Sequence, residues 1–381
     1  MEEARAPFVF GRLANETNFT NREKETKRLS DNFSSLVNTV LISPRRIGKS
    51  SLVMHAAAKA MEKDKKLRCC FVDLFTIRSE EEFYRTLAEA VLKSTSSRTA
   101  EFVRKAGKYF SHIIPKFTYS PDPSSEVELG FNWEEVKKRP EELINLAEAI
   151  AKEEKIKLVV CIDEFQNIGL FDDPTAFQKR LRANWQKHQH VSYCLYGSKR
   201  HMMMEVFASA AMPFYKFGDI LFLEKIAEKD WIPFIVKRFG ETGKQIDAVQ
   251  AGNIARMVEC HPFYVQQLAQ LSWFRTRKKC TSAEINLAFS SLLDQLGLLF
   301  QSITENLATT QVNFLKAICE DVVQFSSQEN ITRYKLGTSA NVQRIKEALL
   351  EKEIIDVQKK EIVILDPVYK AWLKQQYFGR K

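Results

Sequence analysis

The sequence predicts an α/β fold in which a five-stranded parallel sheet precedes a helical region and a small C-terminal module of helices and a hairpin. Short apolar runs begin near residues 39, 67, 157, 191 and 219, and they alternate with helical periodicity through residue 224. Parallel neighbours in a sheet need crossover connections, so this alternation implies helices on both faces of the sheet. Beyond the last strand the pattern is helical, and an alternating segment follows near the end.

A turn with basic residues follows the first strand. Residues 39–51 read TVLISPRRIGKSS: an apolar run, a turn, and then Gly48, Lys49 and Ser50 at the start of an alanine-rich helix. This layout is typical of a nucleotide-phosphate cradle, in which backbone amides point at the phosphates, the lysine reaches the β and γ groups, and the serine hydroxyl ligates Mg²⁺. We therefore predict an ATP or GTP site formed by Pro44, Arg45, Arg46, Ile47, Gly48, Lys49, Ser50 and Ser51.

One position departs from the consensus, and an ordinary strand, loop and helix is the alternative interpretation. The pattern GxxxxGK[ST] begins with glycine, whereas this chain has Ser43 there. Arg45 and Arg46 are also compatible with simple exposure to solvent. The following helix favours nucleotide binding, because apolar residues recur at helical spacing and form a narrow face suited to packing on a sheet: Leu52, Val53, Ala56, Ala57 and Ala60.

Two carboxylates end a later buried strand. Residues 156–167 read IKLVVCIDEFQN, an apolar run with β-branched residues that is long enough for a buried parallel strand. Asp163 is placed to hold Mg²⁺ through water, and Glu164 to orient and polarise the water that attacks the γ-phosphate. Acidic residues also end strands without any function, but here both motifs occur in one chain and in the expected order.

A third strand ends on a polar residue at 191–198, which read VSYCLYGS. Open α/β sheets bind ligands beyond the carboxyl ends of their strands. Ser198 is therefore a candidate sensor of the γ-phosphate or the attacking water, provided that its strand neighbours the one that ends at Asp163. The alternative is a small turn without function.

Composition limits the class of protein. The chain has 381 residues, 45% of them hydrophobic, which allows a sizeable core and two or three domains. Its seven cysteines show no paired metal-ligand spacing, as is typical of reduced thiols in a cytosol. No apolar run reaches the roughly 18 residues of a spanning helix, and the start lacks a signal-type core, so we expect a cytoplasmic protein with no membrane partner. The net charge of +9 mildly favours phosphate-bearing partners.

Capping and periodicity predict the elements around the phosphate turn. Thr20 followed by Glu23 indicates the start of a helix before that turn. Residues 67–75, LRCCFVDLF, form the next strand, and a helix with Phe83, Leu87 and Val91 on one face returns over the sheet.

Residues from about 94 to 140 interrupt the pattern and are interpreted as an insertion. They are rich in serine, proline and charge, and residues 116–119 and 126–131 alternate like the arms of a hairpin around SPDPSS. After the last strand, helices are predicted over 248–258 and 263–274. Pro262 breaks or starts a helix between them, so His261 is compatible with a capping or surface role.

The last segment has the pattern of a winged helix. Two helix faces, one with Phe314, Leu315 and Ile318 and one with Val342, Ile345, Leu349 and Leu350, precede the alternating segment at 354–365. Such modules often place their second helix in the DNA major groove. Here that helix carries Arg344 and Lys346, but acidic residues that repel phosphates accompany them: Glu347, Glu351 and Glu353.

Six segments together resemble one known family. They are FTNRE at 19–23, SPRRIGKSS at 43–51, VVCIDEFQ at 159–166, YGS at 196–198, CHPFYVQ at 260–266 and DPVYKAWL at 366–373. This set resembles the archaeal-type ATPases of the STAND branch of AAA+ proteins, which also occur in bacteria. The Walker motifs are widely shared, whereas PRRxGK, HPF and DPxYxxWL are specific in combination. The resemblance implies a P-loop AAA+ (ASCE) domain over 1–226, a helical lid over 227–300 and a winged helix over 301–381.

The resemblance also implies roles for single residues. Asp163 takes the metal-binding role, Glu164 the water-activating role and Ser198 the sensor role. Ser43 departs from the family, and so does Lys216, which stands where many relatives carry arginine. No arginine finger is assigned.

Two further segments are implied to contact the nucleotide. The resemblance places Phe19 and Arg22, in FTNRE, near the adenine together with Pro262. His261 and Pro262 resemble the lid motif that reports the nucleotide state.

Three functions are compatible with these patterns. The favoured one is a molecular switch that binds ATP or ADP with Mg²⁺, hydrolyses ATP slowly and moves its winged helix as the γ-phosphate is lost. The others are an initiator-like DNA-binding ATPase and a nucleotide-binding scaffold that never hydrolyses. Expected partners are the nucleotide and a protein bound through the winged helix or lid. AAA+ relatives often form rings, whereas STAND proteins rest as ADP-bound monomers, so an oligomer is compatible with the resemblance.

Overall fold

The computed structural model describes residues 6–13, 19–110, 116–118, 128–358 and 361–379, and the chain divides into two compact units. One unit runs from Arg22 to Glu224, and the other comprises the described residues up to Asn21 and from Lys225 onward.

The unit from Arg22 to Glu224 alternates strands and helices. Its elements are α1 (Glu23–Ser34), β1 (Thr39–Ile42), α2 (Lys49–Lys63), β2 (Leu67–Asp73), α3 (Glu80–Thr95), α4 (Thr99–Tyr109), β3 (Lys116–Thr118), β4 (Glu128–Gly130), α5 (Trp133–Lys138), α6 (Pro140–Ile144), α7 (Leu146–Glu154), β5 (Lys157–Asp163), α8 (Pro174–Trp185), β6 (Val191–Gly197), α9 (Arg200–Ala208) and β7 (Asp219–Phe222). A short 3₁₀ helix, Phe165–Leu170, follows β5.

The five predicted strands form one parallel sheet, in the order β2-β5-β6-β1-β7. The predicted fold class is therefore confirmed. Strand β6 lies between β1 and β5, so the carboxyl ends of all three meet at one edge of the sheet. This edge brings the turn after β1 close to the carboxylates that end β5.

Alternation along the strands and the helical period of α2 explain the core. Leu158, Val160 and Ile162 of β5 are buried in one cluster with residues of α3. The narrow face predicted for α2 is also confirmed, since its alanines Ala56 and Ala57 are fully buried. Small side chains let this helix approach its neighbours closely.

The insertion predicted between the second and third strands of the sheet contains helices as well as a hairpin. Strands β3 and β4 pair antiparallel, as the alternating pattern indicated. The turn sequence SPDPSS lies outside the described residues.

The predicted cap at Thr20 is wrong. Helix α1 begins at Glu23, and the residue before it, Arg22, has a left-handed backbone (φ 75°) and no side-chain cap, while Asn21 is also left-handed (φ 57°). Two successive left-handed residues turn the chain before the helix, so Thr20 lies two residues before the position that a cap occupies. The buried Arg22 guanidinium instead donates to Glu25 and to the carbonyl oxygen of Glu224.

The second unit is mostly helical. Its elements are α10 (Glu228–Gly240), α11 (Ala248–Met257), α12 (Pro262–Arg275), α13 (Ser282–Glu305), α14 (Thr309–Cys319), α15 (Gln328–Arg333), α16 (Ser339–Glu351), β8 (Ile355–Gln358), β9 (Glu361–Ile364) and α17 (Pro367–Trp372), followed by a π-helical turn, Leu373–Tyr377.

Pro262 is the first residue of α12, where its missing N–H is not needed, so the prediction that it starts a helix is confirmed. His261 occupies the position before it. Its side chain makes no capping hydrogen bond to the helix, and because it is buried, the predicted surface role is wrong. The C-terminal elements give the winged-helix pattern with one addition, α15, which the sequence analysis did not separate from the loop. None of the helices in the described ranges is both long and apolar enough to cross a lipid bilayer.

Candidate functional site

The turn after β1 presents a helix N-terminus to the sheet edge. Its last residue, Gly48, has φ 92°, a left-handed conformation that favours glycine, and α2 begins at Lys49. The first backbone amides of a helix have no partner within the helix and carry the positive end of its dipole. The loop is anchored by the buried side chain of Ile47, whereas Arg45 and Arg46 are exposed. This arrangement suits a phosphate group.

Two residues at the start of α2 meet the two carboxylates at the end of β5. Lys49 Nζ lies 3.0 Å from Glu164 Oε1 and 3.3 Å from Asp163 Oδ1. The Ser50 hydroxyl donates to Asp163 Oδ2 at 2.7 Å. The two motifs, more than a hundred residues apart in the sequence, therefore form one charged cluster.

Glu164 is held at both of its carboxylate oxygens. While Oε1 pairs with Lys49, Oε2 accepts hydrogen bonds from Gln166 Nε2 at 2.5 Å, from the Ser198 hydroxyl at 2.9 Å and from the Ser198 backbone N–H at 3.2 Å. The Glu164 backbone is left-handed (φ 51°), and its N–H donates to Asp163 Oδ1. The backbone conformation costs some free energy, and it turns the glutamate side chain toward Lys49 and Ser198.

The two carboxylates respond differently to this environment. Burial raises the pKa of Asp163 above its usual 3.8, because Lys49 and Ser50 offset the loss of water only in part. Burial also acts to raise the pKa of Glu164, but Lys49, Gln166 and Ser198 together hold that pKa below its usual 4.5. Glu164 is therefore ionised at neutral pH and can accept a hydrogen bond or a proton.

The donor set fits a magnesium ion. Ser50 Oγ and Asp163 Oδ2 are neighbouring hard oxygen ligands, and Mg²⁺ is usually held by one or two such groups together with phosphate oxygens and water. No group of three or more histidine, cysteine or acidic side chains within the described ranges is arranged to hold a metal ion. Ser43, at the first position of the loop motif, is buried, and its hydroxyl donates to the Pro44 carbonyl oxygen.

The other predicted nucleotide contacts lie away from this cluster in sequence, and their roles stay predictions. Phe19 lines a cavity of about 430 Å³ together with Thr20 and residues of α10. His261 is buried before α12, and Pro262 begins that helix. Lys216 is exposed, with Nζ 5.3 Å from the centroid of the Tyr215 ring.

Two residues of the site were missed. Gln166 and Gly197 were quoted within motifs, but neither was given a role. The only sequence signal is their position, two residues after Glu164 and directly before Ser198. At these positions the side chain of Gln166 and the backbone of Gly197 lie next to the sheet edge.

Two family models match the chain. Residues 19–268 match an ATPase domain described as predominantly from Archaea, and residues 298–375 match a probable winged helix domain. No curated protein matches it.

Among solved structures, the chain is similar to the Walker-type ATPase PABY2304 of Pyrococcus abyssi, with a TM-score of 0.67, 16% identity, and coverage of 97% of this chain and 99% of that chain. It is also similar to the ADP form of the Aeropyrum pernix ORC2 protein, with a TM-score of 0.53, 12% identity, and coverage of 98% and 100%. At these identities the similarities show a shared fold.

Proposed function

We propose that this chain, which belongs to the family of ATPase domains found predominantly in Archaea, is a STAND-type molecular switch that hydrolyses ATP slowly. Family membership and the P-loop fold make it a nucleotide-binding ATPase of the AAA+ type. The switch role, the low turnover and the residue roles are the proposal. The observation that carries it is the cluster in which Lys49 and Ser50 meet Asp163 and Glu164.

Nucleotide binding exchanges partners within this cluster. The triphosphate binds at the N-terminus of α2 and attracts Lys49, which leaves the carboxylates. Ser50 and Asp163 would hold Mg²⁺, which would neutralise charge on the phosphate oxygens. Loss of the Lys49 pair removes a cation from Glu164 and raises the pKa of that carboxylate, so the residue becomes a better proton acceptor as ATP arrives.

The hydrolytic step needs a water molecule that is oriented and deprotonated by Glu164. Glu164 Oε1, freed from Lys49, accepts a hydrogen bond from a water in line with the γ-phosphorus. The water oxygen forms a bond to phosphorus as the bond to the β,γ-bridging oxygen breaks, the water proton passes to Glu164, and ADP and phosphate leave. The proposed sensor of the γ-phosphate is Ser198, and its hydrogen bond to Glu164 Oε2 supports this role.

The test compares phosphate release by the wild type, Glu164→Gln and an exposed control, Glu134→Gln. Glutamine keeps the shape of the side chain but cannot take a proton, so we expect turnover to fall about 10²–10⁴-fold while ATP binding remains. Glu134 is 74% exposed and lies on α5, so its variant should match the wild type. Undiminished phosphate release by Glu164→Gln would exclude the assigned base.

The nucleotide that co-purifies with the protein tests the switch. Mass spectrometry of denatured wild-type protein should find ADP at high occupancy, and Glu164→Gln loaded with ATP should differ from the ADP form in its proteolytic fragments. If the two forms gave the same fragments, the protein would be an ATPase without a switch.

Duplex DNA is the less favoured partner. Helix α16 sets Arg344 and Lys346 beside Glu347 and Glu351, so we expect no steeply salt-dependent binding to duplex DNA.

A further inference from the structure

The side chain of Gln166 is almost entirely buried beside the proposed base. It is 1% exposed, and its Nε2 donates to Glu164 Oε2 at 2.5 Å, on the same oxygen that Ser198 contacts. We propose that Gln166 is a positioning residue for Glu164, and that Gly197 is glycine in order to leave space for it. This inference rests on the proposed function, because it assigns Gln166 a task in the same reaction.

The space at Gly197 is occupied by Gln166. A Cβ atom at position 197 would lie 1.9 Å from Gln166 Oε1 and 3.0 Å from its Cδ, and 2.9 Å from Met203 Sδ. Real Cβ atoms essentially never come this close to other heavy atoms. Gly197 is not among the described residues with a left-handed backbone, so its conformation does not require glycine. Its small size is what matters here.

The other end of the Gln166 amide argues against a purely structural role. Within the described part of the chain, the buried Oε1 has no hydrogen-bond donor. A buried carbonyl without a donor is unfavourable, and an apolar side chain of the same size would avoid that cost. A side chain kept only for packing would need no amide here, and the N–H on Glu164 is the feature that methionine lacks.

Gln166 leaves one oxygen of the base available. With Oε2 fixed by Gln166 and by both donors of Ser198, the carboxylate cannot rotate freely, and Oε1 stays directed at Lys49. When Lys49 moves to the phosphates, Oε1 is the atom presented to water. Without Gln166 the carboxylate turns more freely, and it also loses a donor that stabilises its charged form.

The first experiment replaces Gln166 by methionine in the full chain. We expect kcat for phosphate release to fall roughly 10- to 100-fold, the effect of a misplaced catalytic group, with Kd for ATP changed less than about twofold. The loss should therefore lie in kcat and not in the affinity for ATP, which general damage to the site would also lower. The Tm of the nucleotide-free protein should change little, because the lost donor to Glu164 and the removed unpaired carbonyl act in opposite directions.

Gln178→Met is the matched control. Gln178 lies on α8, is 2% exposed, and also has a buried Oε1 with no donor among the described residues, but the contacts described for it include none to Glu164. Its variant should keep the kcat and the Kd for ATP of the wild type. If Gln166→Met does the same, or if it loses activity only in step with a fall in Tm, Gln166 is not a positioning residue.

A mutant cycle tests the space at Gly197. Gly197→Ala should displace Gln166 and lower kcat about as much as Gln166→Ala does, whereas adding Gly197→Ala to Gln166→Ala should lower kcat little further. The alanine methyl group at position 197 also crowds Met203, with or without Gln166, so the cycle compares turnover and not Tm. Equal losses in both backgrounds would refute the inference.

The two proposals fail separately. If Glu164→Gln hydrolyses ATP as fast as the wild type, the proposed base is wrong and Gln166 has nothing to position. If Glu164→Gln is inactive but Gln166→Met keeps the kcat of the wild type, only the positioning role of Gln166 is wrong.

Discussion

Removing the Lys49 ammonium should destabilise the nucleotide-free protein. This prediction follows from the ion pairs of Lys49 with Asp163 and Glu164 and does not depend on nucleotide binding. Lys49, Asp163 and Glu164 are 11%, 17% and 14% exposed. At about 3 Å and an effective dielectric constant near 20, one such pair attracts by roughly 5 kcal/mol before the cost of desolvation. Deleting one partner of a buried pair costs about 3–5 kcal/mol, and residual exposure places Lys49→Met near the lower figure.

The effect should depend on pH, and its sign can be worked out. In the wild type the folded-state pKa of Glu164 lies below its usual 4.5, so this carboxylate stabilises the fold above that pH and less as the pH falls. Without Lys49, burial acts unopposed by that ammonium and raises the folded-state pKa of both carboxylates. The folded protein then binds protons more tightly than the unfolded chain. The deficit of Lys49→Met is therefore largest at neutral pH and shrinks as the pH falls toward the carboxylate range.

Thermal unfolding without nucleotide, between about pH 8 and pH 5, measures this. A domain of about 200 residues loses roughly 2–4 °C of Tm per kcal/mol, so Lys49→Met should melt about 10 °C below the wild type at pH 8 and closer to it at pH 5. The double variant Lys49→Met, Glu164→Gln should recover part of the loss. Lys27→Met is the control, because Lys27 is 77% exposed and its ion pair with Asp31 contributes little. An unchanged Tm at pH 8 for Lys49→Met would refute the reasoning.

Two other variants test the remaining groups of the site. Asp163→Asn should abolish the nucleotide-dependent stabilisation that thermal shift detects with ATP and Mg²⁺, because the amide still accepts from Ser50 but lacks the negative charge that attracts the metal ion. Stabilisation equal to that of the wild type would contradict the metal-binding role of Asp163. Ser198→Ala removes one donor from Glu164 Oε2 but keeps the backbone N–H, so phosphate release should fall only about tenfold, and a complete loss would point to direct contact with the reacting groups.

The sheet and the main motifs could be predicted because each depends on local pattern. The apolar run ending at Asp163 can be buried only in the middle of a sheet, and the small residues on α2 fit only a close neighbour. Parallel topology then places the strand ends at one edge, and the turn after β1 meets the end of β5 there, across the end of β6.

What could not be predicted depends on backbone geometry and on side-chain contacts across the fold. The left-handed pair Asn21 and Arg22 moved the start of α1 past Thr20, and neither residue is a glycine that would have signalled the turn. Gln166 looked like an ordinary polar residue after a strand. Its contact with Glu164 depends on space left by Gly197, and periodicity does not contain this relation between the 3₁₀ helix after β5 and the end of β6.

The charges of the empty cluster explain how one set of side chains serves both states of the proposed switch. Its carboxylates, Asp163 and Glu164, outnumber the single ammonium of Lys49, so a triphosphate without a cation would add repulsion. A triphosphate that carries Mg²⁺ instead brings a positive charge to Asp163 and can release Lys49 to the phosphates. Glu164 then loses its cation but keeps the donors at Oε2. The contacts that hold this residue in the empty protein thus also hold it in the loaded one, and only the occupant of Oε1 changes, from lysine to water.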